Sequence, residues 1–212
     1  NASPAMSTSR PRDISATTLA HYEATATSFW EGTRSHDVTQ NYEAFLRAIE
    51  GESPFSILDL GCGPGRDLRF FHEQGHTPTG LDGCDAFVEM ARAHVDCEVY
   101  HQDFLQLRLP ASRFDGVFAN ASIFHVPTAQ LPRVLGELHA TLKPRGVLFC
   151  SNPRGSNDEG WHGQRYGVYH DLEGFRGYVE PAGFDLIEHY YRPQGLPLAE
   201  QSWLATVSRK RS

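Results

Sequence analysis

The stretch Ile57-Leu58-Asp59-Leu60-Gly61-Cys62-Gly63-Pro64-Gly65 decides the fold of this chain. Its apolar start ends in three glycines, and Leu68, Phe70 and Phe71 then follow at helical spacing. Glycines belong where a chain turns sharply and a ligand touches the backbone. The G-x-G-x-G spacing differs from the G-x-G-x-x-G of dinucleotide-binding loops, and Pro64 removes one N–H from the turn. We therefore interpret the stretch as strand, tight turn and helix, with a ligand at the turn.

Apolar strands and helical segments alternate along most of the chain. Two N-terminal helices with a polar elbow near 32–35 precede the glycine turn. After it, strands are predicted at 77–81, 97–101, 116–119, 147–151, 184–191 and 203–208, with helices at 86–94, 131–142 and 172–182. This alternation predicts a parallel sheet with helices on both faces.

Length and composition favour one soluble domain. At 212 residues and 40% hydrophobic, the chain can bury about 70% of its unfolded surface. A net charge of -7 argues against a nucleic-acid partner, and no run approaches the roughly 18 apolar residues of a membrane helix. The four cysteines lack C-x-x-C spacing, so free thiols and a cytoplasmic location are expected. Apart from the pair His162 and His170, the eleven histidines are scattered without metal-binding spacing, so no metal is expected. Residues 1–13 are expected to be a disordered tail or expression remnant, and 14–212 one domain whose segment 14–50 is a helical cap.

Two further strand ends carry groups suited to a nucleoside. Asp82 follows the strand 77–81, where a carboxylate can accept hydrogen bonds from both ribose hydroxyls. Gln102-Asp103-Phe104 follows the next strand; Asp103 can accept from an adenine amino group while Phe104 lies against the base. These groups occur in the order that a nucleoside lying across the sheet requires.

Five stretches together resemble the successive motifs of class I S-adenosylmethionine-dependent methyltransferases: 57–66, 80–82, 102–104, 114–120 and 142–148. The resemblance spans roughly Phe55 to Phe149. It implies an α/β fold: a Rossmann-like, doubly wound, mostly parallel seven-stranded sheet with helices on both faces and an antiparallel C-terminal strand. It also implies S-adenosyl-L-methionine as cofactor and S-adenosyl-L-homocysteine as product. The turn Lys143-Pro144-Arg145-Gly146 departs from the family, which usually has a second glycine there.

The same resemblance assigns cofactor contacts residue by residue. In the family the glycine loop carries the methionine part, the acid matching Asp82 holds the ribose, and a tyrosine in the first helix covers the cofactor. The segment matching Asn120 faces the reacting methyl group. The expected cofactor-binding residues are Tyr22, Asp59, Gly61, Cys62, Gly63, Gly65, Arg66, Asp82, Gly83, Gln102, Asp103, Phe104 and Asn120.

His125 and the segment 152–171 are the candidates for the acceptor side. His125 lies five residues after Asn120, and both are candidate catalytic residues. A neutral imidazole could act as general base, or His125 could simply be hydrogen-bonded within a helix turn. The segment 152–171 is interpreted as a substrate lid loop, or alternatively as a solvated loop whose aromatics pack on the sheet edge. Its substrate candidates are Asn152, Arg154, Trp161, Arg165, Tyr166, Tyr169 and His170, with Arg154 and Arg165 able to clamp a carboxylate.

A narrower resemblance suggests the acceptor. The stretches 36–41, 151–155, 165–171 and 189–193 are similar to the methyltransferase domain of the ovothiol pathway, which methylates an imidazole nitrogen of 5-thiohistidine. The expected function is methyl transfer to a small molecule in ovothiol biosynthesis, by a monomer or homodimer. Two alternatives stay open: a nicotinamide-dependent reductase, and a non-catalytic cofactor-binding module that regulates a partner.

Overall fold

The computed structural model describes residues 10–34 and 36–212. The helices in these ranges are α1 (Pro11–Thr33), α2 (Thr39–Ala48), α3 (Arg66–Glu73), α4 (Asp85–His94), α5 (Leu131–Thr141) and α6 (Leu172–Val179). The strands are β1 (Ser56–Leu60), β2 (Thr77–Asp82), β3 (Val99–His101), β4 (Phe114–Asn120), β5 (Leu142–Pro153), β6 (Asp158–His162), β7 (Arg165–Tyr169), β8 (Phe184–Arg192) and β9 (Trp203–Lys210). In this part of the chain no helix is both long and apolar enough to cross a lipid bilayer.

The central sheet has seven strands in the order β3-β2-β1-β4-β5-β9-β8. The pairs β1–β2, β1–β4, β2–β3 and β4–β5 are parallel, whereas β9 runs antiparallel to both β5 and β8. This confirms the predicted α/β sheet with its antiparallel C-terminal strand. The strand order reverses between β1 and β4, and such a reversal opens a crevice at the carboxyl ends of the strands.

Alternation along the central strands builds a core on each face of the sheet. Leu58 and Leu60 of β1 pack in one core, while Ile57 points into the other. In the second core Phe118 of β4 stacks on Phe149 of β5, with ring centroids 4.8 Å apart. Strands buried on both faces read as continuous apolar runs, which is why β1 and β4 stand out in the sequence.

Among the element boundaries that differ from the prediction are those of α1, β3 and β5. Helix α1 begins at Pro11, so the described part of the expected 1–13 tail is largely helical; residues 1–9 lie outside the described residues. Strand β3 is only Val99–His101. Strand β5 begins at Leu142 and includes the turn-like residues before Gly146, because an irregularity in the β4–β5 register and a positive φ at Arg145 accommodate them.

The expected lid loop is a hairpin. Strands β6 and β7 pair antiparallel around Gly163 and Gln164, and Trp161 lies opposite Tyr166. Gly163 has a φ of +65°, the left-handed conformation that two-residue hairpin turns require. The prediction of irregular structure at 152–171 was therefore wrong, because a glycine at the right place closes a tight turn between two short strands.

Gly116 tests how tightly the second core is packed. A Cβ at this position of β4 would lie 2.5 Å from Cζ of Phe45 and 3.1 Å from Cδ1 of Ile49. We expect Gly116→Ala to lower the free energy of unfolding by about 1–3 kcal/mol in urea denaturation, because the added methyl group would overpack the core. The matched control is Gly136→Ala on α5, where an added Cβ would have no neighbouring atom within 4 Å. There the same methyl group should raise the free energy of unfolding by about 0.5–1 kcal/mol. Equal stabilities for the two variants would contradict this packing.

Candidate functional site

A cavity of about 580 Å³ lies at the carboxyl ends of β1, β2 and β4. Residues of helix α1 and Arg165 at the start of β7 also line it. Many residues predicted from the sequence line it: Tyr22, Gly61, Cys62, Gly63, Arg66, Asp82, Gly83, Asp103, Phe104, Asn120, His125 and Arg165. The topology therefore brings groups from most of the chain's length to one place.

The glycine loop after β1 is held close to its neighbours. The N–H groups of Gly61 and Cys62 donate to the carbonyl oxygen of Leu81 at 2.8 and 3.0 Å. A Cβ at Gly61, whose φ is +74°, would lie 2.4 Å from Cβ of Ser122. Gly63 also has a positive φ and leaves the backbone bare toward the cavity. Glycine is required at Gly61 by both conformation and space.

Asp82 connects the end of β2 to the glycine loop. Its carboxylate accepts hydrogen bonds from the N–H groups of Gly63 and Cys84, each at 2.9 Å. Burial raises the pKa of Asp82 to about 6, although these backbone hydrogen bonds favour the charged form. A ligand that donates to both oxygens would favour the carboxylate further.

The Asp103–Phe104 corner provides a carboxylate beside a flat ring. Asp103 accepts from the N–H of Leu105 at 2.9 Å and from the Ser15 hydroxyl at 2.7 Å. A carboxylate has about four lone-pair positions, so two remain for a ligand. Ser15 belongs to α1, so this bond also fastens α1 over the corner.

Three residues expected to bind cofactor do not line the cavity. The Gln102 side chain exchanges two hydrogen bonds with the backbone of Arg108, which turns it away. Gly65 packs under the loop, where a Cβ would lie 3.2 Å from Cα of Ala91. Asp59 is buried beneath the loop. None of these three side chains or backbones is therefore placed to contact a ligand in this cavity.

A polar cluster lies under the glycine loop. Arg66 donates through Nε to Asp67 at 3.0 Å, and the Tyr42 hydroxyl donates to the same carboxylate. Among the described residues Oδ2 of Asp59 has no hydrogen-bond partner. Burial, together with the nearby Asp67 carboxylate, raises the pKa of Asp59 well above its usual value. Asp67 is therefore the ion-pair partner of Arg66, whereas burial disfavours the charged form of Asp59.

The two ring nitrogens of His125 connect its own segment to α1 and to β7. Nε2 lies 2.7 Å from the hydroxyl of Tyr22 on α1, and Nδ1 lies 2.7 Å from the carbonyl oxygen of Tyr166 on β7. Burial lowers the pKa of His125 to about 4, so the ring is neutral at pH 7. Both nitrogens are thus engaged within the protein, and such a low pKa makes His125 a weak base.

The hairpin residues divide between two environments. A second cavity of about 310 Å³ shares Phe124, Arg165 and Trp203 with the first, and Arg154, Tyr166 and Tyr169 also line it. Of the remaining substrate candidates, Asn152 and His170 are buried and Trp161 packs on Tyr166, and none of the three is among the lining residues of either cavity.

Arg154 is engaged by the protein itself. Its Nε donates to the carbonyl oxygen of Gln201 at 2.8 Å, its Nη2 donates to that of Leu198, and its guanidinium lies 5.0 Å from the Tyr191 ring centroid. Arg154 therefore fastens the β8–β9 loop, and the expected two-arginine clamp is not formed. Within the described residues Arg165 makes no ion pair, so of these two arginines it is the one available to a ligand anion.

Several lining residues were not selected from the sequence. Asn41 donates to Oδ1 of Asn120 at 3.3 Å and accepts from the Tyr190 hydroxyl at 2.7 Å. Arg192, whose Nη2 donates to the carbonyl oxygen of Asp37 at 2.7 Å, also lines the cavity. Both residues lie in stretches of the narrower resemblance, 36–41 and 189–193, but no residue type or spacing there distinguished them from their neighbours.

The thiols at the site are held protonated. Cys62 lines the cavity, and burial, followed by the Asp82 and Asp59 carboxyls, raises the pKa of its thiol well above the usual value. Cys84 donates through Sγ to Glu23 at 2.9 Å. Burial and this carboxylate raise the pKa of Cys84 to about 12.

Comparison with known sequences points to one family. Residues 57–146 match the family described as a methyltransferase domain. The chain is 28% identical over 148 residues to a malonyl-(acyl-carrier protein) O-methyltransferase of Pseudescherichia vulneris, covering 66% of this chain and 58% of that protein. It is 32% identical over 111 residues to a trans-aconitate 2-methyltransferase of Escherichia coli O157:H7, covering 51% and 43%. The chain spans about half the length of the curated relatives it matches.

Comparison with solved structures establishes the fold. The 1,6-didemethyltoxoflavin-N1-methyltransferase of Burkholderia thailandensis, with 1,6-didemethyltoxoflavin and S-adenosylhomocysteine bound, aligns with a TM-score of 0.79 at 20% identity, over 99% of this chain and 94% of that one. A SAM-dependent methyltransferase of Leishmania major aligns with a TM-score of 0.78 at 16% identity, over 95% and 85%. At these identities the likeness shows the fold alone.

The Asp82 carboxyl offers a direct test of the site's electrostatics. We expect carboxyl carbon-13 NMR of the ligand-free protein to give Asp82 a pKa of about 6, because burial disfavours its charge. The variant Asp82→Asn identifies the signal by removing it. A midpoint at about 4, the value of an exposed aspartate, would contradict the buried environment.

Proposed function

We propose that the protein transfers the methyl group of S-adenosylmethionine to a small azole, because residues 57–146 match the methyltransferase-domain family and the chain has the class I methyltransferase fold. One observation carries the proposal. The glycine loop, Asp82 and Asp103 open onto the same cavity as His125 and Arg165. A nucleoside cofactor and an acceptor would thus meet in one enclosed space.

The cofactor half of the cavity fits S-adenosylmethionine. Bare backbone at Gly63, a buried acid at Asp82 and a ring at Phe104 match its amino-acid, ribose and adenine parts in turn. Arg66 and Asp67 offer charges of both signs for the α-carboxylate and α-ammonium groups. When bound, the cofactor supplies an activated methyl group, so the protein's task is to align the acceptor and exclude water.

The acceptor half fits a small aromatic ring that carries a carboxylate. Phe124 and Trp203 line the junction of the two cavities and offer apolar ring faces. Arg165 lines both cavities as well and can bind a carboxylate through two parallel hydrogen bonds. The buried, neutral His125 adds no second positive charge to this half of the site.

We propose the imidazole nitrogen of 5-thiohistidine as the acceptor atom, which would place the enzyme in ovothiol biosynthesis. The four stretches of the narrower resemblance, distant in sequence, each contribute lining residues: Asn41, Ser151, Arg165 and Arg192 lie around the main cavity. The acceptor combines a flat ring with a carboxylate, as this half of the cavity requires. The toxoflavin enzyme is likewise named an N1-methyltransferase, which specifies a nitrogen as the methylated atom.

Calorimetry tests the cofactor assignment. We expect S-adenosylhomocysteine to bind and NADH not to bind. Affinity should fall by up to about tenfold per pH unit below pH 6, because protonated Asp82 cannot accept from both ribose hydroxyls. Asp82→Asn should bind roughly 10- to 150-fold more weakly at pH 8 and lose this pH dependence. Binding of NADH in place of S-adenosylhomocysteine would favour the reductase alternative.

A methylation assay tests the acceptor. The protein and S-adenosylmethionine are incubated with 5-thiohistidine, histidine and simple thiols, amines and carboxylates, and mass gain of one methyl is measured. We expect 5-thiohistidine to react, and Arg165→Ala to raise its KM by roughly 10- to 100-fold with kcat changed far less, because ground-state binding is lost. Arg47→Ala is the matched control, since this exposed arginine pairs with Glu188 away from the cavity. Cofactor binding with no turnover of any acceptor would favour the non-catalytic module.

A further inference from the structure

The bonds around His125 fix the direction of a hydrogen-bond chain. The carbonyl oxygen of Tyr166 can only accept, so Nδ1 of His125 must carry the hydrogen across their 2.7 Å contact. A neutral imidazole has one N–H, which leaves Nε2 as a bare acceptor. The Tyr22 hydroxyl, 2.7 Å away, must therefore donate to Nε2.

This arrangement leaves the Tyr22 oxygen as an acceptor. Burial raises the pKa of Tyr22, so the hydroxyl keeps the hydrogen that it donates. The ring is held by Phe29 and Phe87, with centroids 5.7 Å away in both cases. Arg165 Nη1 approaches the oxygen only at 3.5 Å, the limit of a hydrogen bond. With its hydrogen committed to His125, Tyr22 can offer a ligand only lone pairs.

We propose that Tyr22, oriented by His125, determines which ring nitrogen of an azole is methylated, by accepting the N–H of one nitrogen and leaving the other bare. This inference rests on the proposed function and adds a specificity device to it. A neutral azole exists as two tautomers, and an acceptor-only group binds the N–H side of the ring. The bare nitrogen is the one that carries a lone pair for displacement.

The step balances without a protein base. The lone pair of the bare nitrogen forms the N–C bond, and the electrons of the C–S bond stay on sulfur as a neutral thioether. The ring takes up the positive charge and afterwards releases to water the N–H proton that Tyr22 had accepted as a hydrogen bond. His125, whose pKa is about 4, does not take this proton and is a positioning residue.

Nitrogen-15 NMR of His125 tests the chain of bonds independently of any activity. In the full-length protein we expect one protonated nitrogen, Nδ1, and an unprotonated Nε2 throughout pH 6–8. Tyr22→Phe should shift the Nε2 resonance, because its donor is lost, while Tyr178→Phe on α6 should leave it unchanged. A hydrogen on Nε2 in the wild-type protein would overturn the inference and leave the proposed function standing.

Product regiochemistry tests the specificity role. With 5-thiohistidine we expect the wild-type protein to form one N-methyl regioisomer, and Tyr22→Phe to give a mixture of both with KM raised about threefold to tenfold. His125→Leu should also give a mixture of both isomers, because the Tyr22 hydroxyl can then rotate its hydrogen toward the cavity. His125→Gln should restore selectivity, since its amide can donate to the Tyr166 carbonyl and accept from Tyr22.

The outcomes separate the two claims. Tyr22→Phe and wild-type protein giving the same isomer ratio and KM would overturn the role of Tyr22 while methylation itself stands. A wild-type protein that binds S-adenosylhomocysteine but methylates none of the azoles overturns both the azole acceptor and this inference.

Discussion

The carboxylate of Asp82 is the interaction on which the site depends. It accepts from the N–H of Gly63 and so holds the turn after β1 against the end of β2. The turn can lie there only because Gly61 has no side chain to meet Ser122. Burying an acid opposes its charge, as the raised pKa shows, and the charge is partly compensated by backbone N–H groups. Hydroxyl groups of a ligand that donate hydrogen bonds to Asp82 would therefore stabilise its charged form.

Helix α1 completes the cavity, and polar contacts hold it there. Its residues bond to four separate elements: Ser15 to Asp103, Thr18 to the N–H of Tyr166, Tyr22 to His125, and Glu23 to the N–H of Ala86 and the thiol of Cys84. Few of its side chains are fully buried. Polar contacts exchange readily with water, so the helix can separate from the sheet at lower cost than a core element.

The sequence predicted what local patterns encode. Strands buried on both faces, a glycine-rich turn and acids at strand ends are local signals, and the sheet and most of the cofactor half follow from them. The acceptor half depends on contacts between residues far apart in sequence, which no spacing reveals. Arg154 and Arg165 look equivalent in the sequence, yet one is held by the carbonyls of the β8–β9 loop and the other lies at the junction of the cavities. Gln102 is turned away by a bond to Arg108 that could not be inferred from its position after β3.

The protonated cysteines have a consequence for a protein that would house an alkylating agent. A thiolate is the nucleophilic form of cysteine, and Cys62 lines the cavity in which a reactive sulfonium would lie. Burial beside Asp82 and Asp59 keeps Cys62 a thiol, and Glu23 contributes in the same way at Cys84. The acids that shape this site would thereby also disfavour alkylation of the polypeptide's own thiols by a bound sulfonium.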